Sequence, residues 1–282
     1  MINLTIATIL FSISFGLIKA NLASLDPNFV AFLRLFLASL IFLPIFIFRK
    51  KEVSKKDILL SSLIGVIQFG LMFIFYIQAF KYLKGSEIAL LTTSTPFFVL
   101  LISSIYSKKI DFVQVLLVML AIFGGFCVVF RENSLNFAIL GIVFMELSNL
   151  SFALGQILWK RHISASSTAL MFPAYFGASL LALFASLIFF DFKNIYLTNA
   201  QWLSILYLAV IPTGIGFLLW NKGAKEVKET TLSVMNNLKI PIGAIFAVLI
   251  FKENIKIENF IIGLSLILIA IFGSIFYKTK KK

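Results

Sequence analysis

Ten apolar stretches, separated by linkers of no more than about ten residues, constrain this chain more than any other feature. They run Asn3 to Leu22, Asn28 to Phe48, Ile58 to Phe80, Ser86 to Ser107, Phe112 to Phe130, Ala138 to Leu158, Thr168 to Phe190, Trp202 to Asn221, Thr230 to Phe251 and Asn259 to Tyr277. Each is near the roughly 20 residues that a helix needs to cross hydrocarbon. In lipid a backbone must satisfy its own hydrogen bonds, which leaves helices as the spanning element. The expected fold is an all-α integral membrane bundle of ten transmembrane helices.

Composition agrees. The 282 residues are 60% hydrophobic and 13% charged and include 33 Phe, a balance that excludes an ordinary soluble domain. Linkers this short leave no room for a soluble catalytic or binding domain, so function must sit inside the bundle. The first span follows Met1 without a small-residue cleavage site and reads as a retained helix. Cys127 stands alone in an apolar run and reads as a small buried hydrophobe.

A net charge of +13 would suggest nucleic acid for a soluble chain, but topology explains it and no nucleic-acid partner is expected. If the N-terminus is cytoplasmic, the inside segments carry 16 Lys and Arg and the outside loops six; only Lys19, Arg34 and Lys239 fall within spans. The excess places both termini in the cytoplasm. Trp159, Trp202 and Trp220 fall at span ends, where indole rings favour the headgroup region.

The chain also repeats. A shift of 145 residues superposes FYIQAFKYLKGSEIALLTTSTP, ending at Pro96, on WNKGAKEVKETTLSVMNNLKIP, ending at Pro241, and a shift of 141 brings Phe11 onto Phe152 and Lys19 onto Lys160. The two repeats cover 1-131 and 138-282. Five spans is an odd number, so the second copy enters the membrane in the opposite sense, which makes an inverted repeat. Prolines at matching depth in the fourth span of each half predict broken helices around a central site.

The ninth span is the most informative, because Asn236, Asn237, Lys239 and Pro241 lie near its centre. At about 1.5 Å per residue, Lys239 is roughly 15 Å from the start of the span, too deep for easy snorkelling. Asn236, Lys239 and Gly243 share a face. A carboxylate docking on Lys239, with the asparagine amides holding a neutral polar group, is one reading. A buried ion pair between Lys239 and Glu146 locking two helices is the other.

On the sixth span Glu146, Asn149, Ala153, Gln156 and Lys160 follow helical spacing, a polar stripe in a membrane helix. Glu146 can pair with Lys239, bind a substrate ammonium or titrate as a proton carrier; a structural interhelical bond is the alternative. Arg34 and Lys19 lie near span ends, where they can reach headgroups or form a positive outer vestibule. His162, beside Lys160 and Arg161, reads as solvated or headgroup-facing. Pro212 with Gly214 and Gly216 makes the eighth span bendable, and Ala174, Ala178, Ala182 and Ser186 read as a packing seam. A GxxxxGK(S/T) loop, HExxH, GxSxG and paired cysteines are absent, so neither an enzyme nor a bound cofactor or metal is expected.

The segment FSISFGLIKANLASLDPNFVAFLRLFLASLIFLP resembles the opening of an EamA domain of the drug/metabolite transporter superfamily, and SFALGQILWKR resembles the start of its second copy. YIQAFKYLKGSEIALLTTSTP and LLWNKGAKEVKETTLSVMNNLKIP extend the resemblance along the chain. It implies two inverted five-helix repeats, a central cavity and alternating access in the bacterial inner membrane. The NKGA and VMNN blocks are similar to those of bacterial biotin and carboxylate/amino acid/amine carriers. Two departures stand out: Lys108 and Lys109 replace the family's Gly-Glu pair in the first half, with Lys252 and Glu253 in the second, and Lys239 is unusual before the proline.

The expected function is secondary transport of a small organic anion or zwitterion, with biotin uptake as the specific reading. Export of amino acids or other metabolites is the alternative, with a structural membrane subunit as a third. Expected site residues are Lys239, Asn236, Asn237, Glu146, Asn149, Gln156, Arg34 and Lys19, with Pro96, Pro241 and Pro212 as breaks or hinges. Proton coupling, and the choice between monomer and homodimer, are left open.

Overall fold

A computed structural model describes residues 1–22, 24–83, 85–129, 138–163, 167–189, 196–251 and 255–277. Helix α1 runs through Ile2–Ser12 and Ser14–Leu17 into a π-helical turn at Ile18–Leu22. Nine longer apolar helices follow among the described residues: α2 Pro27–Glu52, α3 Lys55–Ala79, α4 Glu87–Ser107, α5 Phe112–Val129, α6 Ile139–His162, α7 Thr168–Ile188, α8 Asn199–Glu226, α9 Glu229–Ile250 and α10 Ile257–Phe276. The starts of α2, α3 and α8 carry side-chain caps. Asp26 accepts from the Phe29 amide ahead of Pro27, and Thr198 with Gln201 forms a capping box.

Two helices are broken where the prolines fall. In α4 the helix stops at Thr92 and resumes at Thr95, with Pro96 in the new first turn. In α9 it stops at Met235 and resumes at Lys239, two residues before Pro241. The cause is local: a proline lacks the N–H that would continue the ladder, and its ring clashes with the preceding turn. Two π-helical segments interrupt α3 at Val66–Leu71 and α8 at Ala209–Gly216, the latter around Pro212.

The packing has the symmetry of the repeat. Helices α2 and α7, α4 and α9, and α5 and α10 pack directly on each other. The α1–α8 contact is matched by α6–α3, α1–α9 by α6–α4, and α2–α8 by α7–α3. Exchanging the two sets of five preserves these contacts, although α5 packs on α9 without an equal α10–α4 contact. Small residues allow the approach. A Cβ added at Gly65 would lie 2.1 Å from the Ala174 carbonyl oxygen, and one at Gly263 would lie 2.4 Å from that of Gly124. The seam of Ala174, Ala178, Ala182 and Ser186 is fully buried.

Met1 and Tyr277 lie on one face. The Met1 amino group pairs with Glu226 at 3.3 Å, where Asn3 also donates, and Lys228 donates to the Tyr277 carbonyl. The expected headgroup positions of the tryptophans need correction. Trp202 is exposed, but Trp159 and Trp220 are buried in the core. Their helices continue to His162 and Glu226, which puts both rings inside the bundle and not at its rim.

Candidate functional site

A cavity of about 80 Å³ lies among α1, α2, α3, α4, α6, α8 and the break in α9. Phe11, Phe73, Phe152 and Phe217 give it aromatic walls, and Ser14, Tyr76, Thr92, Ser148 and Asn149 supply polar groups. Its lining carries two charged side chains, Arg34 and Lys239, both cations.

Arg34 is only 2% exposed. Its Nη2 donates to Thr213 Oγ1 at 3.0 Å, and the guanidinium lies 4.4 Å from the centre of the Phe73 ring. Nε and Nη1 have no protein partner. A guanidinium offers five N–H donors, and leaving them unmet in a buried site is costly unless something else occupies it. Tyr175 donates its hydroxyl to the Thr213 carbonyl, so the π segment of α8 is held from both α2 and α7. The headgroup role weighed for Arg34 is thereby corrected: its face of α2 turns inward against α3 and α8.

Lys239 opens the second half of α9, and its Nζ lies 5.7 Å from the Phe152 ring centre. It forms no ion pair with a described residue, so the Lys239–Glu146 lock is not present. Its carbonyl accepts from Ser12 of α1 at 3.0 Å. Lys239 and Arg34, neither ion-paired with a described residue, make the cavity positive.

Glu146 instead accepts from Ser94 at 2.6 Å and from Asn149 at 3.4 Å. Asn149 lines the cavity and braces the break in α4, donating to the Leu91 carbonyl and accepting from Thr95. Lower on the same stripe, Gln156 accepts from the Trp220 indole at 2.9 Å, and Lys160 donates to the carbonyls of Ala224 and Val227. The stripe thus faces protein along its length.

Asn236 and Asn237 lie outside the cavity lining. Asn236 donates to the Leu232 carbonyl of its own helix, whereas Asn237 donates to Thr93 and Ala121 at 3.1 and 2.9 Å. They satisfy backbone freed by the breaks. Pro212 lines the cavity; Pro96 and Pro241 sit at the breaks. The Lys19 side chain and the whole of Glu253 and Lys252 lie outside the described residues. His162 is exposed. Sequence reasoning missed Tyr76 and Thr213, whose signal was weak: single polar residues in apolar runs.

Comparison with known proteins fits this architecture. The chain is 32% identical to the biotin transporter of Salmonella typhimurium over 278 residues, 96% of this chain and 92% of that one. It is also 32% identical to a probable biotin transporter of Pseudomonas aeruginosa, covering 92% of each. A solved crystal structure superposes with a TM-score of 0.80 over 97% of this chain and 98% of that one at 14% identity, which shows the shared fold. The model of the EamA-like transporter family matches residues 1–130 and 139–276. Ten helices in two mutually inverted sets, helices broken at equivalent prolines and these matches together show that the chain belongs to the EamA-like transporter family.

Proposed function

We propose that this protein carries biotin, a small organic anion, into the cell across the bacterial inner membrane, with both termini cytoplasmic. The observation that carries the reading is that both charged side chains lining the cavity, Arg34 and Lys239, are cations. A carboxylate meets charge-assisted donors there in a low dielectric. Biotin has one carboxylate, a short apolar chain suited to the Phe11, Phe152 and Phe217 walls, and a ureido ring whose donors and acceptors suit Asn149 and the hydroxyls. The names of the 32%-identical relatives point the same way.

Transport proceeds by alternating access. The breaks in α4 and α9 and the π segments of α3 and α8 are the places where the ladder already bends. Glu146, tied to the α4 break through Ser94, is the candidate proton site. A carboxylate to pair with the ammonium of an amino-acid zwitterion is absent from the lining among the described residues, which favours an anion. Expression in a biotin auxotroph lacking its own importer tests the proposal. Growth on trace biotin is expected, and no rescue despite confirmed membrane insertion overturns the substrate assignment.

A further inference from the structure

The face bearing Met1 and Tyr277 is sealed below the cavity by a packed aromatic layer. Phe11, Phe152, Phe217 and Trp220 meet in tilted and edge-on contacts with ring centres 4.6 to 6.0 Å apart. Beneath it is a polar cluster that no packing argument for this state explains. Gln68 of α3, Gln156 of α6 and Asn221 of α8 are fully buried. Gln68 Nε2 donates to Asn221 Oδ1 at 2.8 Å, and Trp220 donates to Gln156 Oε1. Gln68 Oε1 and Gln156 Nε2 have no partner among the described residues. Each orphaned polar atom lowers stability. Helices α3 and α6 touch at this level, since a Cβ added at Gly155, next to Gln156, would lie 2.2 Å from Gln68 Cβ.

The repeat gives the cluster a meaning. The shift of 145 residues carries Gln68 onto Thr213 and Tyr76 onto Asn221. Thr213 holds Arg34, and Tyr76 lines the cavity. In an inverted repeat the two halves rock against each other and their equivalent positions face opposite sides of the membrane, so Asn221 and Gln68 stand on the terminal side where Tyr76 and the Arg34 partner Thr213 stand at the cavity. Trp220 links the two layers, with its ring against Phe11 and Phe152 and its N–H on Gln156. Parting the aromatic layer therefore also frees the Gln156 acceptor.

We infer that Gln68, Gln156 and Asn221 form a second ligand site, exposed when the terminal-face half opens, that takes a neutral group presenting a donor and an acceptor side by side, such as a ureido, lactam or carboxamide. This rests on the carrier reading above. The site carries no cation to match Arg34 and Lys239. Lys160, one turn beyond Gln156, is occupied by the Ala224 and Val227 carbonyls. A carboxylate held at the first site is therefore released at the second, while the neutral end stays guided.

The test compares wild type with Gln68→Leu and Gln156→Leu in liposomes, using radiolabelled biotin. Biotin affinity within about twofold, which reports a folded protein, and exchange slowed by about tenfold or more are expected. Exchange at the wild-type rate, or loss of biotin affinity together with exchange, overturns the inference. A second readout needs no substrate. In a Cys127→Ser background, the thiol introduced by Gln68→Cys should react with a small maleimide in native membranes, and a thiol that stays unreactive overturns the site. Wild type that binds no biotin but shows this reactivity overturns the substrate reading alone.

Discussion

Lys239→Met separates a functional ammonium from a structural one, because the two roles predict opposite signs of stability. Methionine keeps the length and flexibility of the stem and removes the charge. A lysine at the centre of a membrane helix costs about 2.5–3.5 kcal/mol on insertion scales. The structure offsets this with the Phe152 ring at 5.7 Å and no ion pair among the described residues. A cation–π contact returns about 0.5–2 kcal/mol. The substrate-free variant should then gain about 1–2 kcal/mol, which at roughly 2–4 °C per kcal/mol raises the melting temperature by several degrees. Binding moves the other way. Loss of a hydrogen bond to a charged group costs about 1.5–3 kcal/mol, or about 10- to 150-fold in Kd. Thermal melting of purified protein with and without biotin reads both effects, since a ligand that binds the folded state raises its apparent stability. A variant that melts lower than wild type and still binds biotin as tightly would refute the reasoning.

Three further outcomes follow from the contacts. Asn237→Leu removes donors from the Thr93 and Ala121 carbonyls; at about 0.6–1.7 kcal/mol per interhelical bond it should cost about 1–3 kcal/mol in a reversible unfolding assay and leave biotin affinity within about twofold. Lys108 ends α4 in the left-handed region at φ 52°, where a side chain costs about 1–2 kcal/mol and glycine little. After the entropy that glycine adds to the unfolded chain, about 0.4–1 kcal/mol, Lys108→Gly should stabilise by about 0.5 kcal/mol, and a loss of stability would count against the backbone assignment. Glu146→Gln keeps an acceptor for Ser94 and should leave affinity unchanged while flattening the pH profile of uptake. Protonation at low pH makes the wild-type carboxyl resemble the amide, so the two rates should converge as pH falls; an unaltered profile removes Glu146 as the proton site.

Much of the architecture was legible because the bilayer demands long apolar helices and because a proline must interrupt its own ladder. Pro96 and Pro241 thus announced both breaks. What a single helix cannot reveal is which way a residue at a given depth points. Arg34 is seven residues into α2 and looked able to reach headgroups, yet its face turns to α3 and α8 and the side chain is buried. Trp159 and Trp220 were misplaced for a related reason: hydropathy ended their spans early, whereas the helices run on through charged residues. Asn236 and Asn237 looked like ligand amides because polar side chains at the midplane need partners. Their Nδ2 donors meet carbonyls, whereas each Oδ1 has no partner among the described residues, and a donor facing substrate has the same sequence signature as one facing backbone.

That ambiguity points to how the broken helices are tolerated. A gap in a membrane helix exposes polar backbone that lipid cannot solvate, so it survives only when buried in protein or facing water. Here the gap in α4 is met largely from the other half of the chain. Asn237 takes the Thr93 carbonyl, Ser233 takes that of Pro96, and Asn149 takes that of Leu91. The gap in α9 is met from the first half, where Ser12 of α1 donates to the Lys239 carbonyl. Bonds within each half, such as Asn236 to Leu232 and Ser94 to Leu91, share this work, and each half adds donors to the break in the other. Sliding the halves past one another must exchange these bonds as a set, which favours two discrete arrangements over a continuum of intermediates. The charges do not share this reciprocity: the shift of 145 residues places Ser94 opposite Lys239, so a nearly symmetric scaffold presents its ammonium from one half only.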